Sequence, residues 1–249
     1  INDDKSKDKS IKIIDQWINV NSGLFHEVTK LYNETNLGTC QSIINMLDLT
    51  KTRYAKMTAG DDVYSFENIF ELSKIPNQSC PLAYCYPLQL IDGQLSQNNR
   101  DIFQIIGTDK IYKAKSLIDR FIFPSNNNAP NMFFDMESLN NDLVKDFLKE
   151  FDVVEDKPIS VKISETLKDA EIAQLDFVMT YYRRTPGSIY LVANKRFNSD
   201  QIKIFNHLID TSDSLFRKLV SINRLYCFKS NSKIIKRCFN IGNWYYLTN

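Results

Sequence analysis

The first ten positions are almost wholly polar or charged, and an apolar rhythm starts only at Ile11. From there to about Leu49, apolar residues recur at the three- and four-residue spacing of a helix: Ile14, Trp17 and Ile18, then Leu24, Val28 and Leu31, later Ile43, Ile44 and Leu47. The pattern predicts two helices behind a flexible 1–10 segment, because a short polar end has nothing to bury. Thr50 to Gln78 mixes basic residues, the Gly60-Asp61-Asp62 triplet and an apolar run from Val63 to Leu72, with no clear period. Cys80 to Leu88 is interrupted by Pro81 and Pro87, which cannot donate to a ladder, so it reads as an extended edge or loop rather than a central strand.

Beyond Asn99 the pattern alternates. Ile102 to Gly107 reads as a buried strand, Lys110 to Phe121 as a helix, and Asn126 to Asn128 between Pro124 and Pro130 as a loop. Met132 to Asp135 is a short apolar strand ending in an acid, followed by an amphipathic helix from Leu139 to Phe151. Ile159 to Ile163 alternates and is β-branched, which predicts a strand; Lys168 to about Leu175 predicts a helix, and Ser188 to Ala193 a strand. Helices over Asp200–Ile209 and Ser212–Tyr226 complete the series. Strands alternating with helices predict an α/β domain over 11–249, an open and mostly parallel sheet with helices on both faces. Such sheets bind ligands at the carboxyl ends of their strands, where Gly107-Thr108-Asp109 and Asp135 fall.

The chain of 249 residues, 43% hydrophobic with 16 Phe and 12 Tyr, is long and apolar enough for a core, which excludes wholesale disorder. No apolar stretch approaches the roughly 20 residues that span a bilayer, and the charged opening is no signal-peptide core. Five cysteines without a CxxC pair and two distant histidines, His26 and His207, give no zinc-ligand spacing. All five thiols are expected to be reduced and buried, in a cytoplasmic protein. The histidines are expected to be surface or internally satisfied residues.

The formal net charge of +1 conceals an asymmetry. Residues 214–249 contain no Asp or Glu, whereas Arg217, Lys218, Arg224, Lys229, Lys233, Lys236 and Arg237 accumulate there among Tyr226, Phe228, Phe239, Trp244 and Tyr245. Cations interleaved with aromatics suit a phosphate backbone with stacked bases. A solvated helix face, or a basic surface facing an acidic protein, accounts for the same residues. Gly60-Asp61-Asp62 is similar to the metal-binding turn of viral RNA polymerases. The residues before it, Lys56-Met57-Thr58-Ala59, do not form a convincing strand, no DxxxxD motif precedes it, and the triplet reads as a solvent loop.

Pro158 to Phe197 resembles the closing module of the FtsJ/RrmJ-type RNA 2'-O-methyltransferases. The residues that carry it are Ile159-Ser160-Val161-Lys162-Ile163, then Phe177-Val178-Met179, Arg183-Arg184-Thr185-Pro186-Gly187, and Ser188 to Phe197 with its Ile189-Tyr190-Leu191-Val192 run. The resemblance implies a Rossmann-like methyltransferase fold in which Lys162 is the lysine that eases deprotonation of a ribose hydroxyl and Asp135 the preceding acid. Asp109 would border the cofactor. The family's final glutamate is replaced by Gly187 or Ser188, and none of the seven glycines forms the cofactor turn; bulky Thr50 to Tyr54 stands after Met46 to Leu49, where that strand would end. The chain therefore resembles the small, non-catalytic subunits of poxvirus-type mRNA cap methyltransferases. The implied role is a regulatory or scaffold subunit of an RNA-capping assembly, without a bound cofactor, forming a hetero-oligomer with a catalytic partner or RNA. Arg183, Arg184, Lys195, Arg196, Arg217 and Lys218 are then the expected RNA contacts. The alternatives are an active S-adenosylmethionine-dependent 2'-O-methyltransferase and an α/β interaction module unrelated to RNA. The Asn, Ile and Lys richness is compatible with a viral or cytoplasmic A/T-rich genome.

Overall fold

A computed structural model describes residues 1–67, 69–72, 80–96, 102, 105–108, 116–125, 128–167, 171–184 and 195–248. Among the described residues the strands are β1 (Asn2–Asp3), β2 (Leu31–Tyr32), β3 (Tyr54–Lys56), β4 (Val63–Tyr64), β5 (Leu82–Tyr84), β6 (Gln89–Ile91), β7 (Gln94–Leu95), β8 (Met132–Asp135), β9 (Ile172–Gln174) and β10 (Thr180–Arg184). The helices are α1 (Ser10–Asn21), α2 (Thr39–Leu49), α3 (Ile69–Leu72), α4 (Asp119–Ile122), α5 (Met136–Leu139), α6 (Asp142–Leu148), α7 (Asp156–Thr166), α8 (Lys195–Thr211), α9 (Leu215–Lys229), α10 (Lys233–Cys238) and α11 (Ile241–Thr248).

The sheets are mixed, not mostly parallel. One runs in the order β3-β8-β5-β9, antiparallel except for the β5/β9 pair. Besides the short parallel pair β1/β2, a second four-stranded sheet runs β4-β10-β6-β7, parallel only between β10 and β6. Asn131 joins the two: its amide oxygen accepts from Met179 and Thr180 N–H, and its Nδ2 donates to the Thr180 carbonyl.

β8 shows why the central sheet holds. All four of its residues are buried. Met132 and Phe134 enter the main core with Ile43 and Leu47 of α2, Val144 and Leu148 of α6, and Ile159 and Ile163 of α7. Phe133 turns to a smaller cluster with Ala83, Cys85 and Met179. A strand that is apolar on both faces needs cover on both, and the helices and the second sheet supply it.

Several expected elements change type. Ile159 to Ile163 lies inside helix α7 rather than a strand, so Lys162 is borne by a helix. Residues 105–108 are helical, not extended, and 172–174 forms strand β9 where a helix was expected. Met46 to Leu49 is the end of α2, not a strand before a cofactor turn. β5, expected at an edge, is interior between β8 and β9, because Pro81 lies just outside it and offers only its carbonyl, which accepts from Asp135 N–H. The expected strand at 188–193 lies outside the described residues, as does Asp109. The two N-terminal helices and the helices over 200–209 and 212–226 are present as α1, α2, α8 and α9. Four thiols are buried as expected, but Cys238 is exposed. Among the described residues no helix is long and apolar enough to cross a membrane.

Candidate functional site

Two pairs of adjacent carboxylates, Asp61-Asp62 and Glu155-Asp156, each hold a carboxyl whose pKa is raised by burial. The first pair sits in the turn between β3 and β4, which closes with a bond from Asp62 N–H to the Ala59 carbonyl. β4 pairs with β10 in the register Tyr181↔Val63, and where the ladder runs out the Arg183 N–H donates to Asp62 Oδ1 at 2.9 Å. Asp62 Oδ2 is buried with no hydrogen-bond partner. Burial therefore raises the Asp62 pKa; the Arg183 N–H opposes this and the neighbouring Asp61 charge adds to it. Asp61 itself is exposed. The triplet read as a solvent loop thus holds one buried carboxylate oxygen that no described residue satisfies.

Beneath the turn lies Lys56. Its ammonium donates to Thr58 Oγ1 at 2.7 Å, to the Pro130 carbonyl at 2.8 Å and to Thr180 Oγ1 at 3.0 Å, and sits 4.6 Å from the centre of the Tyr64 ring. Burial lowers its pKa to about 8, against the pull of Asp62.

The second pair is Glu155 and Asp156 at the start of α7. Both carboxyls are pushed above the usual carboxylate range, Asp156 by burial and Glu155 by burial and then by the Asp156 charge. The adjoining Lys157 is driven down to about 8 by the same burial, and its Nζ donates to Gln201 at 2.8 Å. Asp156 and Lys157 line a small cleft of about 40 Å³ with Arg120, Phe123, Ser125 and Arg224.

The loop before this pair is held from two sides. Asp200 Oδ2, at the start of α8, accepts from the N–H groups of Asp152, Val153 and Val154. Asp152 also pairs with Arg196 and accepts from Cys40 N–H. On the other side Gly38, at φ +85°, packs so closely that a Cβ there would stand 2.8 Å from the Asp152 carbonyl oxygen. The Asp4 carboxylate receives Leu37 N–H at 2.7 Å and Gly38 N–H at 2.9 Å. Partial burial of Asp4 works against its ionisation, but the bonds from Asn33, Leu37 and Gly38 prevail and lower its pKa.

Tyr182 lies on β10, one residue before Arg183. Its phenol is raised to about 12 by burial and then by Asp62, with Arg184 opposing and Asp156 and Asp61 adding to the rise. Among the described residues no three His, Cys, Asp or Glu side chains converge on a common point.

The residues singled out from sequence are placed differently. Lys162 pairs with Glu165 of its own helix at 3.4 Å, and Glu165 also meets His207 at 2.7 Å. Asp135 does close a strand, where it is buried beside Ser138. Arg183 and Arg184 lie on β10, where the Arg183 N–H meets Asp62. Arg196 is engaged by Asp152, and Arg217 by Asp119 and Asp213. Lys195 and Lys218 are exposed. Glu155, Asp156, Asp200 and Asp4 were not singled out; adjacent acids between Val153-Val154 and Pro158-Ile159 are the signal that marks the second pair.

No family model matches this chain, and no curated protein does. Solved structures do. A mannosyltransferase from Pyrobaculum calidifontis, in complex with GDP-Man and Mn2+, shares its fold with a TM-score of 0.58 at 10% identity over 99% of this chain and 64% of that one. S. aureus TarS residues 1–349, in complex with UDP, gives 0.56 at 12% identity over 94% of this chain and 63% of that one. The chain spans less than two thirds of each. These likenesses replace the expected FtsJ/RrmJ-type methyltransferase fold, and with it the reading as a regulatory subunit of an RNA-capping assembly of viral type: the chain has the fold of these two nucleotide-bound structures.

Proposed function

We propose that this chain carries the donor-binding and catalytic part of a glycosyltransferase that takes its sugar from a nucleoside diphosphate sugar. The observation that carries the reading is the likeness, over nearly the whole chain, to a mannosyltransferase holding GDP-Man and Mn2+. The Asp61-Asp62 turn, where the Arg183 N–H meets Asp62, gives it a location.

The first pair suits the diphosphate end. A hard divalent cation takes one or two carboxylates and completes its shell with phosphate oxygens and water. Asp61, exposed, and Asp62, with a buried oxygen lacking a partner, fit that donor set. Bound there, the cation would supply positive charge against the leaving diphosphate. Arg183, on the adjoining strand, adds positive charge beside Asp62.

The second pair suits the acceptor end. Transfer forms a bond from an acceptor hydroxyl oxygen to the anomeric carbon, breaks the bond from that carbon to phosphate, and releases one proton. A carboxyl whose pKa is raised toward neutrality is matched to receive it. Glu155 and Asp156 are in that state, and the Asp200 anchor fixes the loop that presents them.

Titration calorimetry of UDP and of GDP into the protein, with Mn2+ and with a chelator, tests the reading. Cation-dependent binding of at least one nucleotide is expected, and loss of that binding in Asp61→Asn and Asp62→Asn. Absence of binding for both nucleotides with Mn2+ present would overturn it.

A further inference from the structure

We propose that α9, with α10 and α11, forms a docking face for an anionic lipid surface. The claim stands on α9, whose two sides differ. Val220 and Cys227 are buried, and Arg224 between them donates to the carbonyls of Phe121 and Ile122. Leu215, Leu219, Ile222 and Tyr226 are spaced 4, 3 and 4 residues apart, which places them on one stripe. All four are exposed: Leu215 at 75%, Leu219 at 51%, Ile222 at 44% and Tyr226 at 61%. Lys218 and Lys229 share the stripe and are exposed as well.

The stripe continues onto the next two helices. Asn223, one residue along from Ile222, donates to the Phe239 carbonyl and accepts from Ile241 N–H. Cys227 packs its sulfur toward the Ile235 carbonyl. Phe239 and Trp244 are thereby brought beside α9, both more than half exposed. Lys233, Lys236 and Arg237 are exposed there too, and among the described residues none of Lys218, Lys229, Lys233, Lys236 or Arg237 makes an ion pair. Residues 214–249 contain no acid to neutralise them.

The chemistry selects the occupant. Aliphatic side chains have no flat face on which a base stacks, so Leu215, Leu219 and Ile222 gain little from RNA. Lysines scattered through the apolar stripe are unlike the core of a protein interface, which is depleted in charge. A second copy of the face would bring like charges together. A headgroup layer meets each feature: aliphatics enter the acyl boundary, Trp244 and Tyr226 sit at headgroup depth, and lysines reach anionic phosphates with long stems.

Co-sedimentation of the full chain with phosphatidylcholine vesicles, with and without phosphatidylglycerol, tests this. Partitioning to the phosphatidylglycerol vesicles alone is expected, weakening with salt. The double variant Leu219→Ser, Ile222→Ser should reduce it at least about tenfold, and Lys218→Gln about fivefold. Circular dichroism confirms that each variant is folded, and the exposed sites make that the expected result. The proposal fails if the wild type does not sediment with anionic vesicles, or if folded variants partition as it does. It also fails if the face binds an oligonucleotide or a second copy while vesicles are ignored.

Discussion

Asp200 Oδ2 accepts the backbone N–H of Val153 at 2.8 Å from 47 residues further along the chain. The same oxygen takes the N–H groups of Asp152 and Val154, at 2.9 and 3.2 Å. One buried carboxylate oxygen thus satisfies three consecutive donors immediately before Glu155 and Asp156. Replacing Asp200 with alanine orphans all three, and an unsatisfied buried donor costs about 1–3 kcal/mol. Asp200→Ala is expected to lose about 3 kcal/mol in urea unfolding, with Asp200→Asn losing less because its amide oxygen still accepts. A loss below about 1 kcal/mol would show that water replaces the anchor.

Gly38 is the second support of that loop. A side chain there meets both a left-handed φ of +85° and the backbone of Asp152. The strain of a non-glycine residue in that region costs about 1–3 kcal/mol before any clash is counted. Gly38→Ala is therefore expected to lower stability by about 3 kcal/mol and to loosen the Asp4 contact with Leu37 and Gly38. Calorimetric melting of this variant beside Gly93→Ala, which has φ +79° but open space around it, separates clash from strain. Equal losses in the two would remove the packing argument.

The sequence disclosed what had one-sided periodicity and concealed what was buried all round. α8 and α9 bury one face each, so their 3.6-residue rhythm was legible. α7 buries Pro158, Ile159, Ser160, Val161, Ile163 and Ser164 together, which erases the rhythm and leaves a β-branched run that imitates a strand. Its true signal was Pro158 in the first turn behind Asp156, a helix-start pattern. The resemblance to a methyltransferase module was built on that imitation and fell with it. The candidate site was less legible still, because its acids come from turns and helix starts at 61–62 and 155–156, where no periodic pattern marks them.

Lys56 makes a pH dependence testable. Its folded pKa of about 8 lies below the ordinary 10.5, so between these values the unfolded chain binds more protons than the folded one. Stability from this group then rises with pH across that window and is at its lowest below pH 8. The difference in unfolding free energy between wild type and Lys56→Met should grow by about 2 kcal/mol in favour of wild type from pH 8 to 10.5. A flat difference would mean that the ammonium is fully compensated by Thr58, Pro130 and Thr180.

Asp62 joins stability to function with opposite signs. Its folded pKa stands above the ordinary 3.8, so above that pH the folded state holds its proton more strongly and ionisation at neutral pH is disfavoured by folding. Asp62→Asn removes the charge, and the ligand-free variant should be more stable than wild type at pH 7 by about 0.5–1 kcal/mol, the group being half-buried. Below pH 3.8 both states of wild type are protonated there, and the advantage should vanish. With Mn2+ and UDP or GDP at about a hundred times the dissociation constant, wild type gains about 2.7 kcal/mol by mass action. The variant, lacking the carboxylate, gains nothing, so the order of the two melting temperatures reverses on adding ligand. Differential scanning calorimetry reads all three conditions. A ligand-free variant less stable than wild type would refute the buried-charge account of Asp62, and an undiminished ligand shift in the variant would refute its place at the diphosphate.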